Sequence, residues 1–215
     1  MNKAMIFPIH KKWVDMIFDG SKDLEFRNKL PKDLKSGMKI YFYEALGDRK
    51  LIHLWKSYPL YIQHRWSKNE NTDELSNYVT EGTGMIVGEA TVGEIYELEY
   101  DKKYDEVLFK QNGVVMWSNS FSSRNIEGYT NQKYAIEVTN VIEYDEPIPK
   151  EEFISWNKVD NLIKNNFEKS EIKTSYKAIF NEIIDGLLTY GDKQCNVSAP
   201  PQAPMYVVEI PYDTE

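Results

Sequence analysis

A single cysteine, Cys195, is all the thiol this chain of 215 residues carries. That excludes an internal disulfide framework and any Cys-rich zinc site. Histidine is scarce as well: His10, His53 and His64 are scattered, without the i, i+4 pair that places two imidazoles on one helix face. Neither a dedicated metal centre nor a cofactor is expected. No stretch reaches the ~18–20 apolar residues of a membrane span, and the opening MNKAMIFPIHKKWV has too short an apolar run for a signal peptide. The expectation is a cytoplasmic protein with no membrane partner. Positive charge is not in excess either: 26 Lys and Arg stand against 34 Asp and Glu, a net charge of −8. This weighs against a non-specific binder of duplex nucleic acid.

What the chain does have is aromatic residues, 13% of the total, with 15 Tyr and 5 Trp. Such content supports a packed core and argues against global disorder. Charge is unevenly placed. Residues 1–39 hold nine Lys and Arg against five Asp and Glu, whereas the remainder holds 17 against 29. A basic segment on an acidic body suits capture of an anionic ligand; a solvated, lysine-rich face reads the same way.

Periodicity sets the element order. Ala4–Ile9 is a short apolar strand, and Lys11–Asp19 places Trp13, Val14, Ile17 and Phe18 on one helical face, with Gly20 as its C-cap. Asp23–Arg27 alternates with period two, so Glu25 and Arg27 share a face with Asp23, and Lys22 falls at the turn. Met38–Ala45 and Met85–Leu98 read as strands, and Asn112-Gly113 signals a hairpin between Val107–Phe109 and Val114–Trp117. Tyr134–Tyr144 is a further strand ended by Pro147 and Pro149, a short helix opens at Pro149, and Met205–Ile210 closes the series. Tyr176, Ile179, Phe180, Ile183, Ile184, Leu187 and Leu188 form a helical stripe, which serves core packing or an oligomer contact such as a homodimer. The pattern lacks βαβ alternation. It implies an α+β fold, an antiparallel or mixed barrel with helices across it, as one domain over residues 1–215 with insertions near 46–83 and 156–196.

Gly20, Lys22, Glu25 and Arg27 spell G-x-K-x-x-E-x-R after a Trp-bearing helix and before a strand. This resembles the ASCH domain, a branch of the PUA-like superfamily. In the same order, KWVDMIFDG, MKIYFYEA, GMIVGEATVGEI, YAIEVTNVIEYDEPI and APPQAPMYV resemble successive segments of the family, the last being similar to phage and prophage members. The resemblance implies that the motif residues line a pocket in the barrel. Some members are amidohydrolases of N4-acetylcytidine, with Thr as nucleophile and Lys as its activator. Here Lys22 matches, and Glu25 occupies the Thr position. Ribonuclease activity is also associated with the family.

From their chemistry alone, Lys22 and Arg27 can donate to phosphate or a base edge, and Glu25 can accept from an exocyclic amine. The same spacing also describes an ion-pair cluster on an exposed strand face. With the resemblance, the leading expectation is a binding site for a nucleotide, nucleoside or single-stranded RNA base, with a regulatory or sequestering role. The alternatives are a hydrolase in which Glu25 acts as general base and Lys22 stabilises the oxyanion, and a protein-interaction module working through the helical stripe. Candidate ligand contacts beyond the motif are Lys12, Trp13, Tyr43, Trp117 and Gln202. His10 reads as a turn residue.

Overall fold

A computed structural model describes residues 2–47, 82–120 and 132–209. The aromatic run expected as an insertion, Trp55 to Trp66, lies outside them. The chain order is β1 (Lys3–His10), α1 (Lys11–Phe18), β2 (Leu24–Arg27), β3 (Lys39–Ala45), β4 (Ile86–Asp101), β5 (Glu106–Gln111), β6 (Val114–Ser120) and β7 (Tyr134–Ile148). A short 3-10 turn (Lys150–Glu152), α2 (Trp156–Asn166), α3 (Lys169–Tyr190) and β8 (Met205–Val208) complete it.

The strands form one eight-stranded sheet, ordered β2-β7-β4-β3-β1-β8, with the β5–β6 hairpin on the distal half of β4. The β1–β3 pair is parallel; every other ladder is antiparallel. Alternation along β1 divides its neighbours between two cores. Met5, Phe7 and Ile9 meet Ile40, Phe42, Ile136 and Val138 under α1, which adds Val14 and Ile17. Ala4 and Ile6 face the other way, onto Tyr41, Tyr43, Phe153 and Val207. This is the period-two logic of a sheet buried on both faces.

The class is α+β as expected, but the sheet does not close into a barrel. Among the described strands, β2 pairs only with β7, and β8 pairs only with β1. Beyond β8 there is a single bridge, Ser155 to Val207. Two boundaries also move. β4 runs on to Asp101 because β5 pairs with its distal half, and β7 continues through Pro147 to Ile148. Pro147 is tolerated there because the β4–β7 register shifts between Ile86 and Gly88, where a missing N–H breaks no regular ladder. The Asn112-Gly113 hairpin is as the sequence signals: both residues have positive φ, 51° and 80°, which a two-residue I′ turn requires.

The segment expected as a late insertion folds as a helix pair. Val159 and Ile163 of α2 meet Phe180, Ile184 and Leu187 of α3 in a third core with Cys195 and Val208. Burying three such side chains from α3 contributes about 1.5–3 kcal/mol each. The stripe is therefore intramolecular packing, except for Leu188, which is exposed.

Candidate functional site

The site is built where α1 hands the chain to β2. α1 ends at Asp19, whose side chain accepts from the Ser21 backbone N–H, and Gly20 takes the left-handed conformation at φ 75°. The Lys22 N–H then donates back to Met16 O at 2.9 Å. This tight return carries Lys22 beneath the helix, where its side chain is 5% exposed. β2 pairs with β7 so that Glu25 lies opposite Ile136 and Arg27 opposite Tyr134. Ile136 belongs to the core under α1, so Glu25 is turned toward that core while Leu24 and Phe26 pack on the other side with Val107 and Phe109.

Lys22, Glu25 and Arg27 thus form one cluster, the first two buried and Arg27 half-buried. Arg27 Nε lies 2.9 Å from Glu25 Oε1, and Lys22 Nζ lies 3.8 Å from Oε2. Neither contact is an aligned hydrogen bond. The Arg27 Nε–H is buried and points at no acceptor, so its approach to Oε1 is ionic only. The cations are anchored elsewhere: Lys22 Nζ donates to Leu24 O, and Arg27 Nη2 donates to Pro8 O at 2.9 Å. Among the described residues no donor is aligned on the Glu25 carboxylate. The carboxylate sits between two cations, and among the described residues the buried polar atom of the cluster that meets no acceptor is Arg27 Nε. The cluster carries one net positive charge.

Arg27 does more than join the cluster. By reaching Pro8 O and lying 5.1 Å over the Phe7 ring, it spans the gap between β2 and β1. β8 pairs with β1 only over Lys3–Ile6. The motif residues therefore stand at the open seam of the sheet. His10 is at the same seam, and burial pushes its imidazole below the ordinary value; Glu25 pulls it up and Arg27 pushes it down.

Of the other expected residues, Lys12 and Trp13 join the cluster's surroundings. Lys12 Nζ lies 4.7 Å, and Lys22 Nζ 5.7 Å, from the Trp13 ring centroid. Both ring contacts fall within cation–π range, and Trp13 also packs on the core under α1. Tyr43 is not brought to the seam; it is buried in the core on the opposite face of the sheet. Trp117 stacks on Phe109 at 3.5 Å and reaches the site only through the small core it shares with Phe26. Gln202 is exposed in the loop before β8. Asp23, expected on the Glu25 face, is exposed. His10 and Pro8 were not singled out as site residues. What brings them to the site is the reach of the Arg27 side chain from β2 to Pro8 on β1, which no local spacing encodes.

Two more carboxylates are buried. Glu44 lies 3.4 Å from Lys11 Nζ and accepts from the Thr83 N–H, and Glu89 accepts from Lys39 and the Tyr144 hydroxyl, each at 2.6 Å. Among the described residues, no group of three His, Cys, Asp or Glu side chains could hold a metal. No described helix is long and apolar enough to cross a membrane.

The model of the ASCH domain family matches residues 8–148. The chain belongs to the ASCH domain family. That family is generally linked to RNA binding, and the fold is consistent with the PUA-like superfamily. Among solved structures, ASCH from Zymomonas mobilis is 12% identical, with a TM-score of 0.39 over 96% of this chain and 88% of that one. A ZmASCH mutant protein from the same organism is 13% identical, with a TM-score of 0.35 over 78% and 85%. No curated protein matches the chain.

Proposed function

We propose that this ASCH domain recognises a nucleotide or a single base of RNA at the Lys22–Glu25–Arg27 cluster. The observation that carries the reading is Glu25, a residue 7% exposed that lies between two cations and, among the described residues, accepts no aligned hydrogen bond. A ligand presenting an amine to Glu25 and an oxygen to Lys22 or Arg27 would supply what the cluster lacks. Lys12 and Trp13 add a cation and a partly exposed ring at the same place. The role that follows is recognition, in the service of regulation or sequestration.

Native mass spectrometry, then calorimetry with nucleotides, modified nucleosides and short RNAs, tests this. Glu25→Gln should weaken binding by about 1–3 kcal/mol, the cost of one charge-assisted hydrogen bond. Unchanged affinity in both Glu25→Gln and Lys22→Ala would remove the site assignment. Product analysis of the same mixtures separates recognition from hydrolysis. A ligand returned cleaved, with turnover falling ~10²–10⁴-fold in Glu25→Gln, would make the protein an enzyme with Glu25 as its base.

A further inference from the structure

The segment that joins β2 to β3 leads from Arg27 at the seam to Lys39 at the far end of the sheet. It reads Asn28-Lys-Leu-Pro-Lys-Asp-Leu-Lys-Ser-Gly-Met38. Lys29, Lys32 and Lys35 recur every third residue and are all exposed, whereas Leu30 and Leu34 between them pack on the core under α1. The loop is held at several points. Leu34 N–H donates to Pro31 O, and Gly37 N–H donates to Val92 O at 2.8 Å. The Asp33 backbone N–H donates to the Tyr206 hydroxyl, and the Asp33 carboxylate is paired with Lys3 at 2.8 Å. The one acid of the loop is thus neutralised, and no described residue forms an ion pair with Lys29, Lys32 or Lys35.

Beyond the loop lies an open cleft of about 760 Å³ at the start of β1 and β3, lined in part by Lys3, Lys35 and Lys39 with Asp33 and Glu209. Lys3 is fixed by Asp33 and by the Tyr206 ring 3.9 Å away, and Lys39 by Glu89 at 2.6 Å. With a strand rise of about 3.3 Å per residue, the two ends of β1 stand about 23 Å apart. The rest of the chain is strongly acidic, with 17 Lys and Arg against 29 Asp and Glu after residue 39, and repels a polyanion.

We infer that the Lys29–Lys32–Lys35 loop and the adjoining cleft are a track for the phosphate backbone of single-stranded RNA whose base is read at the seam. This inference rests on the reading of the seam as a base-recognition site and names its ligand as an RNA strand rather than a free nucleotide. Pinned leucines hold the loop while three exposed lysines, recurring every third residue of the sequence, form no ion pair with any described residue. Such a row fits a repeating anion better than a lone one. It carries no base specificity, because lysine meets phosphate as a point charge.

The test compares the wild type with Lys29→Ala/Lys32→Ala/Lys35→Ala, with a control triple at exposed Lys102, Lys173 and Lys177, and with Lys22→Met/Glu25→Gln. The probes are a mixed-sequence RNA of about twelve nucleotides, within the usual site size of single-strand binders, and the four nucleoside monophosphates. Each single-strand phosphate contact contributes a salt slope of about 0.7, or about fivefold in affinity at 0.1 M salt. The loop variant should therefore lose up to about 100-fold for the RNA and about 2 in slope, with monophosphate binding unchanged. An equal loss in the control triple, no loss in the loop variant, or no RNA binding by the wild type each overturns the track. A loss confined to the seam variant would sink the track and leave the seam reading standing; a loss confined to the loop variant would do the reverse.

Discussion

The unequal distances within the Lys22–Glu25–Arg27 cluster predict an unequal division of energy. Arg27 Nε is 2.9 Å and Lys22 Nζ 3.8 Å from the Glu25 oxygens, with side chains 19%, 5% and 9% exposed in the order Arg27, Lys22, Glu25. At an effective dielectric of about 20, the gross attractions are about 6 and about 4 kcal/mol. Desolvation offsets most of each, and both cations keep a carbonyl when the carboxylate is gone, Pro8 O for Arg27 and Leu24 O for Lys22. Double-mutant cycles should accordingly return coupling of about 2 kcal/mol for Glu25 with Arg27 and about 1 kcal/mol for Glu25 with Lys22. Glu25→Gln alone should cost about 3 kcal/mol, near the low end for breaking a buried ion pair. Urea unfolding of Glu25→Gln, Lys22→Met, Arg27→Met and the two doubles measures all of these. Coupling to Lys22 that equals or exceeds coupling to Arg27, or values below about 0.5 kcal/mol for both, would refute the geometry.

A methyl group at Gly88 would meet Ile142 O at 2.4 Å and the Phe18 ring at 2.6 Å, whereas one at Gly93 meets the far end of the Glu137 side chain, which can shift by giving up its bond from the Glu94 N–H. Gly88→Ala should therefore cost about 2–3 kcal/mol by overpacking α1 against β4, and Gly93→Ala distinctly less; equal shifts in thermal midpoint would contradict this. His10 has a folded-state pKa below its ordinary 6.5, caused first by burial, so the fold prefers the neutral imidazole. The stability it contributes is complete above about pH 6.5 and is lost as pH falls from there through the folded value. His10→Gln should flatten the dependence of the urea midpoint between pH 5 and 7; an unchanged slope would count against the half-buried setting of His10.

Local features were legible because local spacing encodes them. The alternation in Leu24-Glu-Phe-Arg27 places Glu25 and Arg27 together, Asn112-Gly113 makes its hairpin, and the Tyr176–Leu188 stripe makes its helix, each from a few consecutive residues. The misreadings concern relations across the sheet. A barrel is a statement about which edges meet, and nothing in β2 or β8 announces that they stay apart. Tyr43 lies on the far face because β3 is covered on both sides, so alternation separates Tyr41 and Tyr43 from Phe42 without saying which face holds the site. α2 went unnamed because its buried pair, Val159 and Ile163, is too sparse to stand out in a polar stretch.

Arg27 is a latch as well as a member of the proposed site. A strand ladder would have closed the seam with backbone bonds indifferent to what lies beside them; among the described residues it is the Arg27 guanidinium on Pro8 O that spans this seam. Arg27 also has donors to offer an anion, and any that turn outward draw it away from that carbonyl. Under the proposed function, occupancy and closure would share one side chain, so tight binding at Arg27 would slacken the join between β2 and β1. An oxygen that engages Lys22 alone leaves the latch shut.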